Sequence, residues 1–342
     1  MDQTILRLLD ANFNRAREAL RVLEDTARFI LNDFILTETA KNLRHELSQA
    51  IAELACLPLL AARDTPADVG ATLTTPDEKN RHDTLAVLQA AAKRLSEALR
   101  CLEEYSKIEF PALADHLESI RYRCYDLEKQ IITRADRKHR FAPVRLYVLL
   151  TEKYCKLPLL EVAGAVLTGG ADCIQLREKE KTDSELLVLA RDLAQLCRQH
   201  HALFIMNDRP DLALLAGADG VHLGRTDLPV DAARKILPAH MLIGASTHNL
   251  DEARAALQQN PDYLAVGSIF NSTTKPDVAA AGLDLIKQIR LLTQLPLVAI
   301  GGLNQDNAHQ VIAAGADAAA VCHAIIASDN PAAATGAIKN QL

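Results

Sequence analysis

The stretch Phe204–Asp227, FIMNDRPDLALLAGADGVHLGRTD, puts two carboxylates where they could do chemistry. An apolar run, Leu203–Met206, ends at Asn207 and Asp208. A short amphipathic segment follows, then a second apolar run, Gly220–Leu223, and a loop carrying Asp227. If the two runs are neighbouring parallel strands, Asp208 and Asp227 share one rim and can share a hard cation. Mg²⁺ suits such a rim, because it takes one or two carboxylates and fills its other positions with water or phosphate oxygens. Asn-Asp-Arg-Pro has a second reading, as the cap and first turn of a helix, where Asn, Asp and Pro are all favoured. On this stretch alone the two readings weigh about equally.

Other polar residues cluster in the same way, each at the end of a short apolar run. Gln175-Leu176-Arg177-Glu178-Lys179 closes the run that begins at Cys173. Ser246-Thr247-His248 follows Met241–Gly244, and Ser272-Thr273-Thr274-Lys275 lies beyond Tyr263–Val266. Gly301-Gly302 follows Leu297–Ile300, and Cys322-His323 follows Ala318–Val321. Arg177, Lys179 and Lys275 supply positive charge for an anion. Gly302 permits close backbone approach, and backbone N–H groups after the last two strands of a barrel commonly hold phosphate. No Cys or Ser has a plausible base beside it, so covalent catalysis is not suggested. The set calls for a ligand with several phosphates, a divalent metal and a second phosphorylated ligand. Displacement or ionisation of a metal-bound pyrophosphate fits it.

Positioning these residues requires an architecture. From residue 145 onward, eight short apolar runs, starting with Leu146–Leu150, alternate with amphipathic helices. Alternation of this kind predicts a parallel sheet, and eight units predict a closed (β/α)₈ TIM barrel with its chemistry at the carboxyl ends of the strands. Residues 1–132 read differently. Leu6, Leu9, Phe13, Ala16, Leu20 and Leu23 recur at helical spacing, and no Gly or Pro occurs before Pro58. This is an all-α domain with an internal repeat. Arg15, Arg21, Glu24 and Arg44 match Arg94, Arg100, Glu103 and Arg123 at a constant offset, which predicts two helical hairpins joined by a polar loop over 63–83. Along the first helix, Asn14, Arg17, Arg21, Glu24 and Arg28 share a face. It reads as a solvated face of ion pairs or as a phosphate-binding face. Residues 133–144, rich in Lys and Arg and ending near Pro143, read as a linker, and 145–342 as the barrel domain.

Composition narrows the class. A length of 342 residues suits two domains, and no apolar run is long enough to span a membrane. The acidic N-terminus lacks the pattern of a secretory signal. Seven scattered cysteines, never spaced C-x-x-C, point to reduced thiols in a cytoplasm and away from disulfides or zinc. A net charge of −6 and the absence of Trp give no support to nucleic-acid binding. Homo-oligomer formation is left open.

The motifs QLREK at 175–179, ND at 207–208, GVHLGRTD at 220–227, GASTH at 244–248, STTK at 272–275 and AIGGL at 299–303 together resemble thiamine phosphate synthases. The resemblance covers about 145–335. It implies a transferase that joins hydroxymethylpyrimidine pyrophosphate to hydroxyethylthiazole phosphate. It also implies Mg²⁺ on Asp208 and Asp227, and catalytic roles for Lys275, Arg177 and Ser246. Pyrimidine pyrophosphate contacts would fall in Gln175–Lys179, Asn207, Ser246 and Lys275. Thiazole phosphate contacts would fall in Ser272–Thr274, at Gly302 and at Cys322–His323. The chain departs from the family pattern at His323 (usually Ser), at Ser268, Asn271 and Ser272 (usually Pro, Pro and Thr) and at Arg225 (usually Gln). Residues 10–64 resemble a helical domain fused ahead of such synthases and linked to a small, second type of hydroxymethylpyrimidine phosphate kinase. That implies an ATP-dependent step and raises the phosphate-binding reading of Arg15, Arg17, Arg21 and Arg28. The alternative is a tautomerase-like barrel acting on thiazole phosphate, behind a non-catalytic regulatory or oligomerisation module.

Overall fold

The computed structural model describes residues 2–342 except 53–55, 67, 71–72, 74–79 and 272–278. The chain divides into two compact units, the second beginning at Arg137.

The first unit is helical. Its α1, Gln3–Asp25, starts where the Asp2 carboxylate accepts the Thr4 N–H, and it buries Leu6, Leu9, Ala16, Leu20 and Leu23 along one stripe. A π-helical turn, Thr26–Ile30, leads towards α2, Phe34–Ala52, and α3 is Cys56–Ala61. The second hairpin is α4, Thr84–Glu109, capped by Asp83, and α5, Pro111–Phe141. Both copies of the repeat build the same ion pairs. Arg21 meets Glu24 and Asp25, and Arg100 meets Glu103 and Glu104. Glu24 and Glu103 are 4% and 2% exposed, so each needs a cationic partner from the neighbouring helix. Arg44 fills that role at 2.8 Å for Glu24, and Arg121, rather than Arg123, at 2.7 Å for Glu103. The constant offset fails here because the π turn and residues 31–33 lengthen the first connection, where Phe110 alone makes the second. Arg123 bonds Glu46 instead.

Residues 133–141, expected as linker, are helical. Nothing breaks the helix before Pro143, and charge alone does not. The eight expected strands are present: β1 Leu146–Leu150, β2 Cys173–Leu176, β3 Leu203–Asn207, β4 Gly220–Leu223, β5 Leu242–Thr247, β6 Tyr263–Val266, β7 Leu297–Ile300 and β8 Ala318–Val321. They form a closed parallel barrel in chain order, with β8 returning to β1. Helices follow the strands, among them α6 Leu159–Thr168, α7 Asp183–Gln199 and α8 Pro210–Ala216.

Strand alternation splits the core in two. Val148, Ile174, Phe204, Val221, Ile243 and Leu264 face outward onto the helices. Tyr147, Leu149, Cys173, Ile205, Leu242, Tyr263 and Val298 fill the interior, with Phe141 stacked on Tyr263 at 4.3 Å between ring centres. At the amino end, an aspartate precedes each even-numbered strand: Asp172, Asp219, Asp262 and Asp317. Their carboxylates accept the backbone N–H of Leu146, Phe204, Ile243 and Leu297, on the preceding odd-numbered strand, at 2.8–2.9 Å. Each also meets a base: Lys339, Arg140, Arg234 and Arg290 respectively.

Candidate active site

The inward positions nearest the carboxyl ends open into a cavity of about 370 Å³, large enough for small ligands. Gln175, Arg177, Asn207, Ser246, Gly302, Cys322 and His323 line it, as do Tyr147, His222 and Tyr263. Parallel pairing sets their order round the rim, with Asn207 beside His222 and Ser246 beside Ala265.

Asp208 follows β3 in a left-handed conformation, φ 61°, that Asp tolerates better than most residues. Its N–H donates to the His222 carbonyl at 2.8 Å, which ties the turn to β4. Its carboxyl faces that of Asp227, which is held by the Gly224 N–H at 2.6 Å. Burial, and then the Asp227 carboxylate, push the Asp208 carboxyl up to about 6. Lys179 Nζ lies 3.6 Å from Asp208 and opposes that shift. Two facing carboxylates that hinder each other's ionisation are the donor set a divalent cation relieves.

On the far side, Gly301 and Gly302 have φ of 106° and 66°. A side chain at Gly302 would come within 2.3 Å of the Asn271 carbonyl, so the backbone itself forms this edge. Asn307 fixes it by donating to the Gly302 carbonyl at 3.0 Å. His323 opens a short helix, His323–Ile326, and its ring lies edge-on to Tyr154 at 5.7 Å. Burial pushes the Cys322 thiol up to about 12, which disfavours the thiolate at neutral pH.

Some expected site residues lie elsewhere. Leu176 is fully buried on the outward face of β2, because alternation turns it away from Gln175 and Arg177. Glu178 accepts the Glu152 N–H and is half-buried, with its carboxyl raised mainly by burial. Ser272, Thr273, Thr274 and Lys275 lie outside the described residues. Conversely, Tyr147, His222 and Tyr263 were not singled out from sequence. The signal was available: they occupy the same inward alternation as Leu149, Ser246 and Ala265 on their strands or on paired ones. Gly244 completes that group, since a Cβ there would sit 2.1 Å from Tyr263 Cζ, and only glycine leaves room for the ring.

Polar groups from several strands thus converge at the carboxyl rim, which is the arrangement of a (β/α)₈-barrel enzyme. The thiamine monophosphate synthase family model matches residues 146–325, and the ThiD2 family model residues 7–130. A thiamine-phosphate synthase of Nostoc sp. is 40% identical over 342 residues, covering 100% of this chain and 95% of that protein. One of Gloeobacter violaceus is 42% identical, covering 98% and 96%. A thiamine phosphate pyrophosphorylase structure from Pyrococcus furiosus superposes with a TM-score of 0.55 and 36% identity, covering 59% of this chain and 96% of that one. The chain belongs to the thiamine-phosphate synthase family, as a fusion of a ThiD2-family helical domain to the synthase barrel.

Proposed function

We propose that the barrel joins a hydroxymethylpyrimidine pyrophosphate to a hydroxyethylthiazole phosphate, releasing pyrophosphate. The observation that carries this reading is the facing pair Asp208 and Asp227, with Lys179 beside it, on the rim of a cavity lined by Arg177. Asp208 and Asp227 would hold Mg²⁺, which when bound supplies positive charge to the departing pyrophosphate. Arg177, Lys179 and Lys275 would add positive charge for the pyrophosphate as the C–O bond breaks. Gln175 and Asn207 orient the pyrimidine, and Ser246 donates to its pyrophosphate. The Gly302 edge, the Ser272–Thr274 segment and the backbone N–H groups at Cys322–His323 receive the thiazole phosphate. Its ring nitrogen then attacks the freed methylene carbon and needs no base, because it carries no proton to lose.

For the helical unit, the ThiD2 match supports phosphorylation of the pyrimidine monophosphate by ATP, which would supply the barrel's substrate. Arg17 and Arg28 are exposed, each stacked over a neighbouring phenylalanine, and could meet phosphate. The test uses the full chain. It supplies thiazole phosphate and Mg²⁺ with either the pyrimidine pyrophosphate or the monophosphate plus ATP, and follows thiamine phosphate. No product from the pyrophosphate rejects the synthase reading. Product from the pyrophosphate alone rejects the kinase reading. Arg21→Ala is expected to impair only the ATP-dependent route.

A further inference from the structure

Five side chains form an unbroken polar chain across the barrel floor. Gln175 Nε2 lies 2.7 Å from Tyr147 Oη, which lies 3.0 Å from Tyr263 Oη. His222 Nδ1 is 3.2 Å from Tyr263 Oη, and His222 Nε2 is 2.8 Å from Ser246 Oγ. Four of the five are nearly sealed: Tyr147, Tyr263, Gln175 and His222 are 2%, 0%, 3% and 7% exposed. Water therefore cannot mend a mismatched link, and a mismatch would cost the desolvation of a buried polar group.

Each hydroxyl carries one proton, and a neutral imidazole has one donor and one acceptor. Only two arrangements fill every link and also spend both tyrosine protons within the chain. In the first, Gln175 donates to Tyr147, Tyr147 to Tyr263, Tyr263 to His222 Nδ1, and the His222 Nε2–H to Ser246. Ser246 is then left to donate into the cavity, and Gln175 shows the cavity its carbonyl oxygen and its second N–H. In the second, every bond is reversed. Ser246 then offers only lone pairs, and the Gln175 amide is turned over.

We infer that Tyr147, Tyr263 and His222 are positioning residues that lock the orientation of the Gln175 amide to the donor state of Ser246. The inference rests on the reading above, in which Ser246 meets the pyrophosphate and Gln175 the pyrimidine. An anion only accepts hydrogen bonds, so it selects the first arrangement. The Gln175 oxygen then faces an amino group and its N–H the adjacent ring nitrogen. A 4-oxo pyrimidine needs the amide turned over, which would aim its oxygen at a Tyr147 hydroxyl whose proton is committed to Tyr263. Recognition of the anion and choice of base are thereby coupled through the floor.

Two substitutions break the chain at different links. Tyr147→Phe frees the Gln175 amide to turn but leaves Tyr263 donating to His222. Preference for the aminopyrimidine pyrophosphate over its 4-oxo analogue, as a ratio of kcat/KM, is expected to fall roughly tenfold or more. The KM for thiazole phosphate is expected to stay within about twofold, because none of the five floor residues is assigned to that ligand. Tyr263→Phe removes the donor to His222 Nδ1. Nitrogen-15 spectra of histidine-labelled protein with Mg²⁺ and inorganic pyrophosphate, assigned with His222→Gln, report the tautomer without turnover. The Nε2–H form is expected in the native chain and in Tyr147→Phe, and a mixture in Tyr263→Phe. An Nδ1–H form in the native chain overturns the inference. So does an unchanged preference in a folded, active Tyr147→Phe. A native chain that makes no thiamine phosphate rejects the functional reading instead, and the tautomer still decides the polarity of the chain.

Discussion

Asp208→Asn separates what the carboxylate pair does for activity from what it does to stability. The left-handed backbone at this position, φ 61°, suits Asn as well as Asp, so the change removes a charge without straining the turn. Burial and Asp227 raise the Asp208 carboxyl from 3.8 to about 6. Two pKa units correspond to about 3 kcal/mol in full. The side chain is 28% exposed and Lys179 shares the site, so solvent screening brings this to about 1 kcal/mol. The sign follows from the raised folded value. Its stabilising effect is complete below the unfolded value of 3.8 and is lost as pH rises through about 6. Above that pH the metal-free native barrel keeps a charged Asp208 facing Asp227 that Lys179 offsets only in part, and the Asn variant does not. In metal-free buffer above pH about 7, Asp208→Asn is therefore expected to melt roughly 2–4 °C higher than the native chain, with synthase activity lost. Near pH 4 the difference closes. Mg²⁺ is expected to raise the midpoint of the native chain and to leave the variant nearly unmoved. Thermal unfolding followed by circular dichroism, with and without Mg²⁺, measures all of this. A variant less stable than the native chain at neutral pH, or equally stabilised by Mg²⁺, would refute the reasoning.

Three further outcomes are expected. Gly244→Ala forces a Cβ to within 2.1 Å of the Tyr263 ring, and should cost about 1–3 kcal/mol and lower kcat/KM for the pyrimidine substrate; urea unfolding and steady-state kinetics check both. Glu103→Ala strands Arg121, which is 6% exposed, and should destabilise the helical unit by about 3 kcal/mol; helical unfolding in urea that matches the native chain would contradict this. Lys275→Ala should lower kcat more than it raises the thiazole phosphate KM, since its charge matters most as pyrophosphate leaves; the reverse pattern in initial-rate kinetics would assign it to the other ligand.

The barrel was legible because its strands are buried on both faces and read as short continuous apolar runs. Seven of the eight begin where the runs begin. In β5 the observed strand runs on to Thr247, past the expected end at Gly244, because polar Ser246 and Thr247 read as loop although both border the cavity. The same bias hid the floor. Tyr147 and Tyr263 look like ordinary core residues in a run, and only the pairing of β1 with β2 and of β5 with β6 brings them under Gln175 and Ser246. Leu176 shows the opposite error: proximity in a motif was taken for proximity in space, and strand alternation overrode it. The helical repeat was visible in its arginines, but a π turn is a local change of backbone pitch that no spacing rule announces.

The four aspartates at the amino end give the barrel a rhythm that its eight strands alone do not. Each clamps an odd strand to the even strand that follows it, so the ring is a set of four carboxylate-clamped couples. The seams between couples, β2–β3, β4–β5, β6–β7 and β8–β1, lack this extra grip. Amide exchange should therefore proceed sooner along the seams than within the couples. It also follows that a carboxylate lost from one clamp loosens a quarter of the ring and leaves the other three to hold their register.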